Sequence, residues 1–232
     1  MSIQITFTDT TKTVHKDYHP VPARKALPEW FANLPAFTNN DRSIGAKGSG
    51  METAKRCAPL LDSLSAGYII PTPVDLKITL VDGKYFYQWP NTPGVEFQAL
   101  HQLEGHSGVT SNYGGIPKIM LPWAVKTPPG YSCLYLPPLN QDQRLVQVFA
   151  GVIDTDAYHH PGAIPFLIEK DFLGIIPAGT PLVQVIPFKR DSFKMHIGGD
   201  SEIEDSRMTF NRLRSVFRDG YRKMFWQKKS YL

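Results

Sequence analysis

Residues 119–188 read IMLPWAVKTPPGYSCLYLPPLNQDQRLVQVFAGVIDTDAYHHPGAIPFLIEKDFLGIIPAGTPLVQVIPF, and this stretch decides the fold. Apolar runs alternate with turns rich in glycine and proline. They predict strands over 119–125, 131–136, 145–153, 164–168 and 182–188. A strand recurs roughly every 10–15 residues, with no helical pattern between one strand and the next. This spacing favours an all-β sandwich or barrel over alternating strand–helix units.

The sequence on the amino-terminal side adds strands and short helices. Residues 1–20 alternate apolar and polar side chains, which predicts one or two strands. The 27–31 segment carries a proline at the first position of a predicted short helix. Residues 51–64 have helical spacing, and Pro59 predicts that this helix is kinked or ends near residue 58. The Asp-Gly pair at 82–83 indicates a β-hairpin.

The carboxy-terminal side predicts one amphipathic helix over 201–226. Ser201 and Glu204 have the spacing of a capping box. Apolar residues recur at intervals of three and four: Phe210, Leu213, Val216, Phe217, Tyr221, Met224 and Phe225. Such a helix must bury its apolar stripe on the β body or on another subunit.

Charge is concentrated in the same carboxy-terminal region. The chain has a net charge of +4, and residues 201–232 carry eight basic against four acidic residues, so residues 1–200 are neutral. A basic terminal helix predicts an anionic partner such as nucleic acid, and its alternative explanation is a solvated helix face.

Composition narrows the class of protein. The chain has 232 residues, with 20 prolines and 18 glycines, which favours short strands and turns over long helices. We expect no membrane span and no signal peptide. The two cysteines make no disulfide framework, so a reducing compartment is expected. No phosphate-binding loop or dinucleotide fingerprint is present.

Two segments resemble the dUTPase and dCTP-deaminase superfamily. They are Ala150-Gly151-Val152-Ile153-Asp154-Thr155-Asp156-Ala157-Tyr158 and Ile176-Pro177-Ala178-Gly179-Thr180-Pro181-Leu182-Val183-Gln184-Val185-Ile186. Leu121-Pro122 and Pro128-Pro129-Gly130-Tyr131 resemble the approach to its second motif. The resemblance covers about 119–188 and implies a mainly-β protein with a β-clip body. We expect an amino-terminal extension with short helices at 1–66, the β-clip body at 67–200, and the basic amphipathic helix at 201–232.

A second resemblance extends over more of the chain. Cys57-Ala58-Pro59, Gly67-Tyr68, 126–131, 137–140 and 151–156 are similar to an uncharacterised family found in phages and bacteria. This resemblance implies a location in the cytoplasm of a bacterial host or in a virion. The β-clip resemblance implies a homo-oligomer, with a trimer as the expected form.

The departures from the dUTPase pattern bear on function. Where those enzymes bind phosphate with an Arg-Ser-Gly segment, this chain has Leu136-Pro137-Pro138-Leu139-Asn140. Proline has no N–H to donate to a phosphate, and the glycine-rich terminal arm of those enzymes is replaced by bulky residues. We therefore predict a non-catalytic binding or assembly module that needs no cofactor.

A nucleotide enzyme is the first alternative. The resemblance then implies Asp154 as the base that activates water, Asp156 beside it, Tyr158 under the nucleotide base, and Mg²⁺ as cofactor. Asp154 and Asp156 would share a face of a strand. The other explanation of Asp-Thr-Asp is a turn at the end of a strand. The matched segments of this resemblance contain Gln184 and Tyr131, which are candidate ligand-binding residues, and Asn140 in the departing segment is a third candidate.

A metal-dependent, cupin-like enzyme is the second alternative. Its candidate ligands are His159, His160 and His101, beside the two aspartates, since two histidines and one carboxylate suit Fe(II). Adjacent histidines on a strand point to opposite faces, however, and no His-Glu-x-x-His motif occurs. A structural or solvated role fits these histidines better, so the sequence predicts no metal site.

Overall fold

Antiparallel strands dominate the computed structural model, which describes residues 3–38, 51–89, 95–98, 100–103, 105–106, 116–141, 145–169, 171–216 and 219–232. In chain order the strands are β1 (Thr6–Asp9), β2 (Val21–Pro22), β3 (Tyr68–Pro71), β4 (Leu76–Val81), β5 (Lys84–Gln88), β6 (Val95–Gln98), β7 (Ile116–Met120), β8 (Trp123–Lys126), β9 (Tyr131–Leu136), β10 (Val146–Val148), β11 (Gly151–Ile153), β12 (Ala163–Ile168), β13 (Gly174–Ile176) and β14 (Pro181–Lys189). The helices are α1 (Glu29–Asn33), α2 (Ala58–Ser65), α3 (Asp200–Ser215) and α4 (Gly220–Met224). Short 3-10 turns lie at Lys16–Tyr18, Ala23–Ala26, Ala54–Arg56 and Leu100–Leu103.

The strands form four sheets within the described residues. The orders are β11-β9-β14-β3-β2, β10-β12-β7-β6, β13-β4-β5 and β1-β8. The pairings are antiparallel, and the predicted hairpin at 82–83 joins β4 to β5, with both turn residues at positive φ. The prediction of a mainly-β fold with short amino-terminal helices and a carboxy-terminal helix is confirmed.

One apolar core lies between these sheets. Alternate residues of β12 (Ile164, Phe166 and Ile168) are buried, as expected for strands with one face inward. Other members of the core are Ile70, Leu76, Ile78, Ile119, Leu121, Trp123, Val125, Cys133, Tyr135, Val183 and Val185. Strands from both sides of the predicted boundary at residue 66 share a sheet, since β1 pairs with β8 and β2 with β3. The division into three regions stays a prediction.

Two predicted strands are each divided. The predicted 119–125 strand ends as β7 and resumes as β8, because Pro122 between them has no N–H for a ladder. The predicted 145–153 strand divides at residues 149–150, and its halves β10 and β11 join different sheets. Pro59 has the opposite effect to the one predicted: it lies in the first turn of α2, where its missing N–H costs nothing, and the helix begins there.

The predicted single helix over 201–226 is two helices. Val216 leaves α3 in an extended conformation, and Asp219 has a left-handed φ of 58° before α4 begins. The capping contact also differs from the predicted one, because the Glu202 carboxylate accepts from the Gly199 N–H at 2.9 Å. None of the described helices has the length and apolar character that a membrane-spanning helix requires.

Candidate functional site

Arg190, directly after β14, brings together the two carboxylates of the 150–158 segment. Its Nη1 donates to Asp156 Oδ1 at 2.7 Å, and Nη2 donates to the other oxygen of the same carboxylate. Nη1 also lies 3.4 Å from Asp154 Oδ1, which accepts from Ser132 Oγ at 2.6 Å. The Gly130 N–H donates to Asp156 Oδ2 at 2.8 Å. We call Ser132, Asp154, Asp156 and Arg190 the Arg190 cluster.

The main electrostatic interaction of this cluster is the two-point ion pair between the Arg190 guanidinium and the Asp156 carboxylate. The Arg190 guanidinium and the Gly130 N–H together hold the pKa of Asp156 at about 2. A carboxylate with so low a pKa is a weak base at neutral pH, where general bases work best with a pKa near 7. The cluster instead joins the turn after β11 to β9 and to the end of β14.

Replacing Arg190 with glutamine should change how stability depends on pH. The folded-state pKa of Asp156 is depressed from about 4 to about 2. Its ion pair therefore stabilises the fold above pH 4, and this contribution is lost as the pH falls toward 2. We expect urea midpoints of Arg190→Gln to fall less over that interval than those of the wild type.

The matched control is the neighbouring Lys189→Gln, because the Lys189 ammonium pairs with exposed Asp191 and not with the Arg190 cluster. It should retain the wild-type acid dependence between about pH 4 and pH 2. Equal acid dependence in Arg190→Gln and wild type would contradict the assigned pairing.

The structure places Tyr158 and the candidate metal ligands on an exposed turn. The Tyr158 ring is half exposed and lies 6.0 Å from the His160 ring. His159 Nε2 lies 3.0 Å from the Asp156 carbonyl oxygen. His101 lies in a 3-10 turn, and its side chain is outside the described residues. Among the side chains that are described, no three histidine, cysteine, aspartate or glutamate residues gather as a metal site.

Gln184 and Asn140 bind other parts of the chain. Gln184 is buried on β14; its Oε1 accepts from the Leu139 N–H at 2.8 Å, and its Nε2 donates to the carbonyls of Ser63 and Ala66. Asn140 donates to Ser63 Oγ at 3.0 Å. These contacts fix the 137–140 corner on the end of α2. A ligand-binding role for either residue stays a prediction.

Tyr131 lines a cleft of about 870 Å³. Its walls come from the amino-terminal strand, the end of β14 and the last residues of the chain: Ile3, Gln4, Ile5, Phe7, Pro20, Pro22, Tyr68, Thr127, Tyr131, Pro187, Ser230, Tyr231 and Leu232. The walls are mainly apolar, and none of the described residues that line them has an acidic or basic side chain. Burial raises the pKa of Tyr68 and of Tyr231, which keeps both phenols neutral. We call this site the cleft.

Residues 191–216 form an arm that leaves the body beside the cleft. The extended part, 191–199, carries Phe193, Met195 and Ile197, which are 91%, 86% and 82% exposed. Helix α3 follows, and Ile203 and Phe210 on one of its faces are about half exposed, at 51% and 55%. Every residue from 191 to 212 is exposed, so this part of the arm has little packing within its own chain.

The arm is attached at both ends. At its start the Arg190 N–H donates to the Gly130 carbonyl at 2.9 Å. Beyond its end, Asp219 pairs with Arg56. The following segment is held by Asp62, whose Oδ2 accepts from Trp226 Nε1 at 2.8 Å and from Lys229 Nζ at 2.7 Å. The chain is therefore bonded to the body on both sides of the arm, at Arg190 before it and at Asp219 after it.

The charges of α3 are divided along its length. Its first turns carry Asp200, Glu202, Glu204 and Asp205, and its later turns carry Arg207, Arg212 and Arg214. This order complements the helix dipole, with acidic residues at the amino-terminal end and basic residues at the carboxy-terminal end. The helix is not a continuous basic stripe, and the anionic partner expected from the sequence stays a prediction.

Sequence reasoning missed Arg190 and the extended part of the arm. Arg190 pairs with residues more than 30 positions away, and no local pattern predicts that contact. The arm did have a local signal: apolar Phe193, Met195 and Ile197 alternate with polar residues ahead of Gly198-Gly199. That is strand periodicity in a segment that pairs with no strand among the described residues.

Comparison with known proteins adds little to this geometry. No protein-family model matches the chain, and no curated protein matches it. Among solved structures, the chain is similar to a mutant dUTPase from phage phi11 of S. aureus, with 12% sequence identity and a TM-score of 0.35. The similarity covers 86% of this chain and 99% of that one. A structural similarity with so low a TM-score does not indicate what activity this protein has.

Proposed function

We propose that this protein is a non-catalytic assembly module whose arm packs against a second copy of the same chain. The observation that carries the proposal is the exposure of Phe193, Met195 and Ile197 on an extended segment outside the body. Isolated apolar residues on a protein surface are ordinary, but three highly exposed ones within five residues indicate an interaction site.

The energetics favour a partner for the arm. Burial of a Phe, Met or Ile side chain contributes about 1.5–3 kcal/mol. Most helical stability in proteins comes from packing, and α3, with 16 residues, is only slightly longer than the length of about 12–15 residues below which isolated helices are marginal in water. The contacts that would stabilise the arm are absent from its exposed stretch, and a neighbouring molecule would supply them.

The size of the arm suits a stable interface. Specific interfaces bury roughly 800 Å² per partner and involve about 20–30 residues on each side. The arm, at residues 191–216, is of that length. The resemblance to β-clip proteins implies a trimer. Sedimentation velocity, described below, measures the number of copies in the assembly.

The charge of the arm favours a protein partner over nucleic acid. Its acidic residues are Asp191, Asp200, Glu202, Glu204 and Asp205, and its basic residues are Lys194, Arg207, Arg212 and Arg214. Phosphate binding depends on clustered positive charge, and this surface is nearly balanced. A second copy carries the same balanced set, so the two can pair without net repulsion.

The Arg190 cluster gives no support to nucleotide hydrolysis. Asp156 is committed to Arg190, and Asp154 accepts from Ser132. Both carboxylates already have internal partners, and the pKa of Asp156 is far below the range that suits a general base. The Pro137-Pro138 corner lacks N–H donors for phosphate as well.

The test is the triple variant Phe193→Ser, Met195→Ser, Ile197→Ser. We expect the wild type to sediment as an oligomer and the variant to associate roughly 1,000-fold more weakly, because three apolar contacts are lost. Sedimentation velocity from nanomolar to high micromolar concentration measures the change, and circular dichroism checks the fold.

The matched control is Met51→Ser, which removes another apolar side chain that is 74% exposed but lies outside the arm. It should assemble like the wild type. A wild type that stays monomeric at the highest concentration, or a triple variant that assembles normally, would refute the assembly proposal.

A further inference from the structure

We infer that the extended part of the arm of one copy lies along β1 of a second copy and covers its cleft. This inference rests on the proposed assembly function and adds the acceptor site to it. The donor is the 192–197 segment, and the acceptor is the edge of β1 that faces away from β8.

The acceptor edge is open. β1 pairs with β8 on one side, and within the described residues its other side has no strand partner. An unpaired edge presents N–H and C=O groups to any extended segment that arrives in register. Residues 3–5, which precede β1, belong to no strand and line the cleft.

Donor and acceptor share the same periodicity. Ile3, Ile5 and Phe7 lie two residues apart and all line the cleft. Phe193, Met195 and Ile197 also lie two apart, with polar Lys194 and His196 between them. In a paired strand each set points to one face, so all three apolar side chains of the donor can enter the cleft together.

The chemistry of the cleft fits an apolar occupant. The described side chains that line it are neither acidic nor basic, and burial raises the pKa of Tyr68 and of Tyr231. The apolar side chains of the donor would bring no charge into the cleft. The polar Lys194 and His196 would point away from it.

The position of the arm fits exchange between copies. Pro187 and Tyr131 line the cleft, and the arm begins four residues after Pro187. Donor and acceptor therefore lie at the same end of the molecule. Two copies that meet at this end can exchange arms reciprocally, and a closed ring of copies can pass them in one direction.

A second exposed apolar surface is the rival acceptor. The outer face of the β13-β4-β5 sheet carries Leu173, Phe86 and Ile175, all about half exposed. Both surfaces adjoin strands that have one unpaired edge among the described residues, and the cleft differs in being a concave site of about 870 Å³. An isoleucine-to-glutamate substitution on each surface shows which of the two surfaces binds the arm.

The experiment compares Ile3→Glu with Ile175→Glu, because the two side chains are 59% and 53% exposed and neither is needed for the core. We expect Ile3→Glu to weaken self-association by at least 30-fold in sedimentation velocity, and Ile175→Glu to leave it within about twofold. A photoreactive benzoylphenylalanine at position 193, in a mixture of ¹⁴N and ¹⁵N protein, should crosslink to residues 3–7 of a different copy.

The outcomes distinguish the proposed assembly function from the proposed acceptor site. Assembly that survives Ile3→Glu, or crosslinks that map to the β13-β4-β5 face or to residues of the same copy, overturns the cleft as acceptor and leaves the assembly function standing. A monomeric wild type overturns both. Crosslinks between copies at residues 3–7, together with loss of assembly in Ile3→Glu alone, establish the acceptor.

Discussion

Replacing Gly67 with alanine should lower the free energy of unfolding by roughly 2–5 kcal/mol. Gly67 joins α2 to β3 with a φ of 67°, a left-handed conformation that side chains disfavour. A Cβ at this position would lie 2.0 Å from the Val185 carbonyl oxygen, which belongs to the backbone of β14. Because β14 is central in the five-stranded sheet, the clash must be relieved by moving β3 away from it.

Gly83→Ala is the matched control for this prediction. Gly83 has a similar φ of 75°, but nothing lies within 4 Å of the position of its Cβ. It should cost about 1 kcal/mol, from backbone strain alone. Urea unfolding followed by tryptophan fluorescence measures both variants, and equal losses would show that the contact with Val185 is easily relieved.

Gln184→Ala should destabilise the fold by roughly 3–5 kcal/mol, because each buried polar group left without a partner costs about 1–3 kcal/mol. The substitution removes the acceptor for the Leu139 N–H and the donor for the carbonyls of Ser63 and Ala66. It also leaves a cavity beside β14. The 137–140 corner and the end of α2 should both loosen, and hydrogen exchange should locate the change there.

The control for Gln184 is Gln147→Ala on β10. Gln147 is exposed on a strand, so its loss should change the free energy of unfolding by about 0.5 kcal/mol or less. A loss below about 1 kcal/mol for Gln184→Ala would mean that water replaces the amide contacts and that the corner is not held by this residue.

Local patterns in the sequence were sufficient for much of the fold. The alternation in 164–168 predicts the buried face of β12, and Asp82-Gly83 predicts the turn between β4 and β5. Both signals are local, since periodicity and turn chemistry are set by neighbouring residues. An apolar run alone does not predict the divisions at Pro122 and at residues 149–150, because it does not specify which sheet each half joins.

The candidate site depends on contacts that local patterns do not encode. Asp154 and Asp156 were singled out by resemblance, but their partner Arg190 comes from a distant strand end. Tyr131 lines the cleft only because the amino-terminal strand and residues 230–232 reach it. For the 201–226 helix, the sequence correctly indicates an apolar face, and only the structure shows that residues of this face are left exposed.

The double attachment of the arm affects the entropy of association. A tail with one free end would lose most of its conformational freedom on capture by a neighbour. A segment held at both Arg190 and Asp219 has already lost part of that freedom in the isolated chain. Less entropy is then lost when the arm binds, so a modest apolar contact is enough to hold two copies together. Preorganisation of this kind would let the assembly form from small, individually weak contacts.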